Sequence, residues 1–249
     1  MTTAQHLQYN YEGSVVHAIK TDLAAISIVD IGAKAVVDQA YFGVNGTFFS
    51  GSALTGIAMQ NGVAVRTGGN RTGQACNGIA TKRGTIFCYG GGSSVTTGVV
   101  DYASEANLSN VKWAIGGYSL FPNVAYGSID KYYADINGNG DATDCSNAVA
   151  ETQNAFRFAP RSKNERTAIG WDGSKIWLVA FDSADAWTVR KFMIARGCNL
   201  AVMLDGGSST QMKYAVIRNG NPVATNYNPS GGIPRQVFSM VRVSATEWI

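Results

Sequence analysis

The chain has 249 residues, 45% of them apolar, and its 20 basic and 17 acidic side chains leave a net charge of +3. That length and apolar content suit one large domain with a substantial core, while no apolar run approaches the roughly 18 residues of a membrane-spanning helix. The basic residues form no run or stripe of the kind that tracks a nucleic-acid backbone, so nucleic acid is excluded as an expected partner.

The opening MTTAQHLQYN has no basic region leading into an apolar one, so no signal peptide is visible in this chain. SVVHAIK (14–20) and AAISIVDI (24–31) are rich in β-branched and apolar residues and predict strands. A short helix is expected at Ala33–Gln39, then an apolar strand in YFGVNGTFF (41–49). Asn-Gly pairs at 45–46, 61–62, 77–78, 137–138 and 219–220 are turn signals and point to several hairpins. Further strands are predicted at 84–89, 95–100 and 112–115, whereas 122–163 is polar and irregular and reads as a long insertion holding loops.

RTAIGWDGSKIWLVAF (166–181) places two apolar runs about Asp172-Gly173, the clearest hairpin in the chain. Ser183 is positioned to cap a helix over 184–196, with Ala186, Val189, Met193 and Ala195 near helical spacing and Gly197 ending it. A buried strand at 200–204, a hairpin about Asn219-Gly220 and a closing strand at 236–243 follow. The pattern predicts a single α+β domain of mixed, mostly antiparallel sheets with a few flanking helices.

The four cysteines, Cys76, Cys88, Cys145 and Cys198, form no CxxC pair and give no support for zinc. Cys76 and Cys88 flank a predicted hairpin, which leaves a disulfide and buried thiols as alternatives set by the redox compartment. Charged residues are only 15% of the chain and glycines number 29, the composition of a loop-rich protein, often an exported or virion-associated one.

The only histidines, His6 and His17, lie near the N-terminus, and no GxSxG elbow or phosphate-binding P-loop occurs, which argues against a serine hydrolase and a nucleotide site. DINGNGDATD (135–144) matches the opening of a calcium loop through Asp135, Asn137, Asn139 and Asp141. Its twelfth position is Ser146 in place of glutamate, so closure would fall to Asp144; a structural calcium and a solvated Asx-rich turn both fit.

In LAVMLDGGSST (200–210) an apolar strand stops at Asp205, and the glycines let backbone N–H groups and hydroxyls turn inward beside the carboxylate. Taken alone, Asp-Gly after a strand also serves as a plain turn. Arg166 and Arg235 each lead into a strand, and paired guanidiniums can hold an anionic oxyacid such as phosphate through forked hydrogen bonds. The competing reading is a pair of surface arginines at strand ends. Trp113, Tyr118, Trp171 and Trp177 are compatible with a glycan cleft or with the core.

Together, VNGTFF (44–49), RTAIGWDG (166–173), LAVMLDGGSST (200–210) and PRQVFSMV (234–241) resemble the phosphodiester glycosidase family in order and spacing. The resemblance implies an α+β domain whose motifs meet in one cleft and hydrolysis of a sugar 1-phosphodiester, with no cofactor required. It places Asn45, Gly46, Thr167, Gly206 and Gly207 among the substrate-binding positions and Asp205, Arg166 and Arg235 among the catalytic ones, and the inward-turned donors Ser208 and Ser209 are expected to join the substrate-binding set. Asp205 is expected to work at the anomeric carbon, the arginines and the 206–209 donors at the phosphate, and Asn45 at sugar or phosphate. Asp172 and Glu165 are reserve carboxylates. Ser208 stands where the family commonly has a third glycine, and the 122–163 insertion matches none of its motifs. The alternatives are a non-catalytic carbohydrate-binding or virion structural module and a phosphodiesterase that cuts P–O. Family members are mostly extracytoplasmic, which agrees with the low charge.

Overall fold

Strands dominate the computed structural model, which describes residues 1–66, 74–75, 79–80, 84–90, 96–100, 108–137 and 161–249. The first part of the chain supplies β1 (Thr3–Tyr11), β2 (Ser14–Asp22), β3 (Ile26–Lys34), β4 (Phe42–Asn45), β5 (Phe49–Ser50), β6 (Ala53–Leu54) and β7 (Ala58–Gln60). Then come β8 (Val63–Ala64), β9 (Gln74–Ala75), β10 (Ile79–Ala80), β11 (Thr85–Tyr89), β12 (Thr96–Val100), β13 (Val111–Gly116) and β14 (Tyr118–Ser119). Helix α1 (Ile129–Asn137) precedes β15 (Asn164–Trp171) and β16 (Lys175–Ala184); helix α2 (Ala186–Ala195) follows them. The chain closes with β17 (Leu200–Met203), β18 (Met212–Arg218), β19 (Asn221–Tyr227), β20 (Val237–Val243) and β21 (Glu247–Trp248).

These assemble into a seven-stranded sheet, β14-β17-β15-β16-β2-β1-β21, and two five-stranded sheets, β19-β18-β4-β20-β3 and β12-β11-β13-β7-β8. The seven-stranded sheet is antiparallel at every pair but one, the parallel pairing of β1 with β21.

Strand alternation builds the core. In β16, Ile176, Leu178 and Ala180 enter one apolar cluster while Trp177, Val179 and Phe181 enter another, because successive side chains leave opposite faces of a sheet. The first cluster joins this sheet to the two five-stranded ones through Val44, Ile86, Ile115 and Val241. The second packs its other face against α2 through Val189, Phe192 and Met193 and against Tyr132 of α1. With both faces covered, β16 needs a nearly unbroken apolar run, and each large side chain buried there contributes about 1.5–3 kcal/mol.

Across the first interface β1 and β2 meet β18 and β19 through stacked rings. His6 Nε2 and His17 Nδ1 share a 2.9 Å hydrogen bond. His6 stacks on Tyr214 at 3.6 Å and His17 on Tyr227 at 4.0 Å.

The expected architecture holds in its coarse form, with several mostly antiparallel sheets in one unit, but the balance is further toward β than an α+β domain implies. The helix expected at Ala33–Gln39 is replaced by the end of β3 and a single 3-10 turn at Val36–Asp38, because Val36 is drawn into the core and its N–H is taken by the Gln211 side chain. Helix α2 starts two residues late, and its cap is Asp185, whose carboxylate accepts from Thr188 N at 2.7 Å, while Ser183 remains in β16. Asn61-Gly62 and Asn219-Gly220 form the expected turns, with positive φ at both residues. Asn45-Gly46 forms no turn: Asn45 ends a buried strand.

Helix α1 lies inside the segment expected to be irregular; Asp135 and Asn137 fall in its last turn, and Asn139, Asp141 and Asp144 lie outside the described residues, as does the Asn77-Gly78 pair. Cys88 and Cys198 are buried free thiols, and Cys76 and Cys145 lie outside the described residues. Trp113, Tyr118 and Trp177 are core residues, and Trp171 is partly buried. Among the described residues no helix is long and apolar enough to cross a membrane.

Candidate active site

The three main sheets converge where β4, β15 and β17 end. Leu204 N donates to Thr167 O at 2.8 Å, Asp205 N to Gly46 O at 3.2 Å and Gly46 N to Ser239 O at 2.8 Å. Thr47 Oγ1 donates to Gly116 O at 2.7 Å, which brings in the third sheet. Gly46 is needed for this approach: a Cβ there would stand 2.4 Å from Ser239 Oγ and 2.9 Å from Ser239 C.

Asn45 binds the junction together. Its Nδ2 donates to Asp205 O at 2.8 Å, while its Oδ1 accepts from Thr167 Oγ1 at 2.7 Å and from Gln211 N at 3.2 Å. The amide is fully buried and engaged at both ends inside the protein. Asn45 and Thr167 therefore sit beneath the site as its frame, in place of the substrate contact expected from sequence. An Asn-Gly pair with both members buried, followed by a close backbone approach, is structural for the reason that any unpaired amide in this position would be costly.

Asp205 emerges from the end of β17 beside polar groups of its own turn. Gly206 N donates to Oδ1 at 3.1 Å, and the Ser209 hydroxyl lies beside the carboxyl. The carboxyl is densely enclosed by protein while the residue keeps a partly solvent-reached surface. Burial pushes its pKa up to about 6, and Ser209, Arg235, Gly206 and Arg166 hold it from rising further.

The two arginines differ. Arg166 is buried, with Nε donating to Ala184 O at 3.1 Å and Nη2 to Ser162 O at 2.8 Å. Its guanidinium runs beside Gly206, and it acts on Asp205 as a fixed positive charge. Arg235 is exposed, lies over the Phe49 ring at 4.8 Å and donates from Nη1 to Ser209 Oγ at 3.1 Å. Its backbone is pinned by Gln211 Nε2, which donates to Arg235 O at 2.7 Å. Arg235 is thus the guanidinium open to solvent, and Arg166 is committed largely to the frame.

The Asp-Gly-Gly-Ser-Ser segment is a 3-10 turn over Gly207–Ser209. Ser209 N and Thr210 N are used within it, so Gly207 and Ser208 N–H face no protein acceptor among the described residues. Ser208 is exposed, whereas Ser209 is fully buried and turned toward Asp205 and Arg235. Asp172 is structural: its carboxylate accepts from Ser174 N, Lys175 N and Trp177 Nε1 and shapes the β15–β16 turn. Glu165 lies beside the cleft, its carboxylate accepting from Ser230 Oγ at 3.1 Å. Gln211 and Phe49 were not singled out by sequence; the only signal for Gln211 is a polar residue entering an apolar strand.

Similarity to known proteins bears on the fold and the family. No curated protein matches the chain. Among solved structures, it covers 98% of its length on 82% of the zebrafish N-acetylglucosamine-1-phosphodiester alpha-N-acetylglucosaminidase catalytic domain auto-inhibited by its pro-peptide, at 18% identity and a TM-score of 0.62. A putative exported protein from Burkholderia pseudomallei matches over 92% of this chain and 74% of that one, at 15% identity and a TM-score of 0.52. Identities this low speak for the fold alone. The profile of the phosphodiester glycosidase family, however, spans residues 38–244, from the strand that carries Asn45 to the one that follows Arg235. The chain belongs to the phosphodiester glycosidase family.

Proposed function

We propose that this protein hydrolyses the glycosidic C–O bond of a sugar 1-phosphodiester, a substrate of the glycan or cell-envelope type, releasing the sugar and a phosphomonoester. The observation that carries the reading is a largely enclosed carboxyl, Asp205, beside a serine hydroxyl, Ser209, that accepts from an exposed guanidinium, Arg235. A carboxylate for the anomeric carbon and a cation for the phosphate are the two groups this bond requires.

The leaving group explains why one carboxylate suffices. A phosphomonoester has a second pKa near 6, so it departs without the protonation that an ordinary sugar alkoxide needs, and the second carboxyl of most glycosidases becomes dispensable. Asp205 in its ionised form attacks the anomeric carbon or takes a proton from the attacking water. The C1–O bond breaks with its electron pair leaving on the phosphate oxygen, and water supplies the hydroxyl that ends on C1. Arg235, the free N–H groups of Gly207 and Ser208 and the Ser208 hydroxyl stand where charge builds on the phosphate. Arg166 supplies a fixed field, and Asn45 with Thr167 holds the backbone of Asp205.

An extracytoplasmic or virion-associated setting belongs to the same proposal. Calcium enters it only as a structural ion at the 135–144 segment. The test is turnover of sugar 1-phosphodiesters in heavy-oxygen water, with and without a calcium chelator. Label in the sugar supports the proposal. Label in the phosphate replaces it with P–O cleavage, and absence of product across a panel of sugars replaces it with a glycan-binding module.

A further inference from the structure

Ser209 is fully buried, so its hydroxyl does not reach a ligand in the cleft. It nonetheless stands beside both charged groups of the site, accepting from Arg235 Nη1 at 3.1 Å and close enough to the Asp205 carboxyl to favour its ionised form. A serine hydroxyl has one proton and two lone pairs, so it can accept from the guanidinium and donate to the carboxylate at once.

We infer that Ser209 is a positioning residue that couples anion occupancy at Arg235 to the protonation of Asp205. The inference deepens the function proposed above and rests on it for its meaning in turnover.

The physical chain is short. A guanidinium donating to Ser209 Oγ polarises the hydroxyl and strengthens its donation to Asp205, since hydrogen bonds in series reinforce one another. Both the hydroxyl and the Arg235 charge favour the ionised carboxyl. When an anion engages Arg235, the positive field is neutralised and Nη1 is drawn away from Ser209, so the carboxyl holds a proton more tightly. Among the described residues the other cation acting on Asp205 is Arg166, from β15, and its bonds to Ala184 O and Ser162 O keep it fixed while this happens. The neighbouring carboxylate, Glu165, is turned to Ser230.

By reciprocity, an anion at Arg235 binds more tightly as pH falls through the titration of Asp205. In turnover, Asp205 becomes more basic as the phosphate is gripped, when it must form a bond to carbon or accept a proton from water.

The experiment is a carbon-13 titration of the Asp205 carboxyl in aspartate-labelled protein, assigned by its loss in Asp205→Asn. Sulfate is the anion probe because its charge is constant over the range. Sulfate should move the wild-type midpoint upward. Ser209→Ala should start with a raised midpoint and respond less to sulfate, and Arg235→Gln, at an exposed position, should lose the response. Ser209→Cys, nearly isosteric and a weak donor, serves where the alanine variant does not fold. The inference is overturned if sulfate leaves the wild-type midpoint in place, or if it moves wild type and the Ser209 variants equally, since charge alone then accounts for the coupling. These titrations need no turnover, so failure of the glycosidase reading appears separately, as absence of product with the titrations unchanged.

Discussion

Glycine is required at 206 and 207 for different reasons. At Gly206 a Cβ would stand 2.8 Å from the backbone oxygen of Glu165, so alanine must push apart the two strands that aim Asp205. At Gly207 nothing lies within 4 Å, and only the backbone angle, φ +58°, resists a side chain. Gly207→Ala should therefore cost about 1 kcal/mol and keep turnover within roughly tenfold. Gly206→Ala should cost about 1–3 kcal/mol and abolish turnover even where it folds. Thermal melts and initial rates on the two variants side by side separate the cases; equal loss in both would contradict the geometry.

Asp205 itself links function to stability. Its folded pKa of about 6 exceeds the ordinary 3.8, so the folded state binds a proton more strongly than the unfolded chain. The stability tied to that proton is fully present below about pH 4 and is lost as pH rises through about 6, on the order of 3 kcal/mol as an upper figure. Asp205→Asn removes this loss. It should abolish turnover and yet raise the melting temperature at neutral pH, with the gain vanishing near pH 4. In wild type, kcat/KM should fall on the acid side with a limb near pH 6, because the ionised carboxyl is the active form.

Among the elements, the ring stack between β1–β2 and β18–β19 predicts a slope of the opposite sign. Burial, and then the charge of His17, pushes His6 down to about 4 from 6.5. Burial likewise lowers His17, with Asp182 opposing it, and Tyr214 and Tyr227 cover the pair from the facing sheet. Protons then bind the unfolded chain preferentially, so this contribution is present above about pH 6.5 and is lost as pH falls toward 4. The Asp205→Asn background isolates the effect. Its melting temperature should drop across that window, and His6→Phe should flatten the drop in part; a curve that stays level with His6 in place would count against the buried neutral pair.

The same element shows what a sequence hides. β15, β16 and β17 are legible because both faces of each are covered and their apolar runs are nearly continuous. β1 is not legible, since most of its residues are only half-buried and polar, and its strand character comes from pairing with β2. α1 is hidden for a related reason: Tyr132 is buried through Trp187 and Arg190, some fifty-five residues later in the chain. At the site, Asp205 and Arg235 can be found by residue type and motif. Whether Asn45 and Ser209 face a ligand or the frame depends on contacts such as Asn45 to Asp205, separated by 160 positions. Gln211 escapes notice because its partners, Val36 and Arg235, lie 175 and 24 positions away.

At the scale of the whole molecule, the carboxyl proposed to react, Asp205, rests where two sheets are tied by the buried Asn45 amide and the third by Thr47. Opening the backbone at Asp205 means breaking the Asn45 bonds to three separate segments together. Local fluctuation that exposes hydrogen-bonded amides to solvent exchange generally begins where few buried contacts must part. The amide protons of Gly46, Leu204 and Asp205 should accordingly exchange with deuterium at rates close to those of global unfolding, while those of the exposed β18–β19 hairpin tip exchange far sooner. The placement of Asp205 would then outlast partial openings elsewhere in the described structure, so the carboxyl keeps its aim for as long as the Asn45 bonds hold.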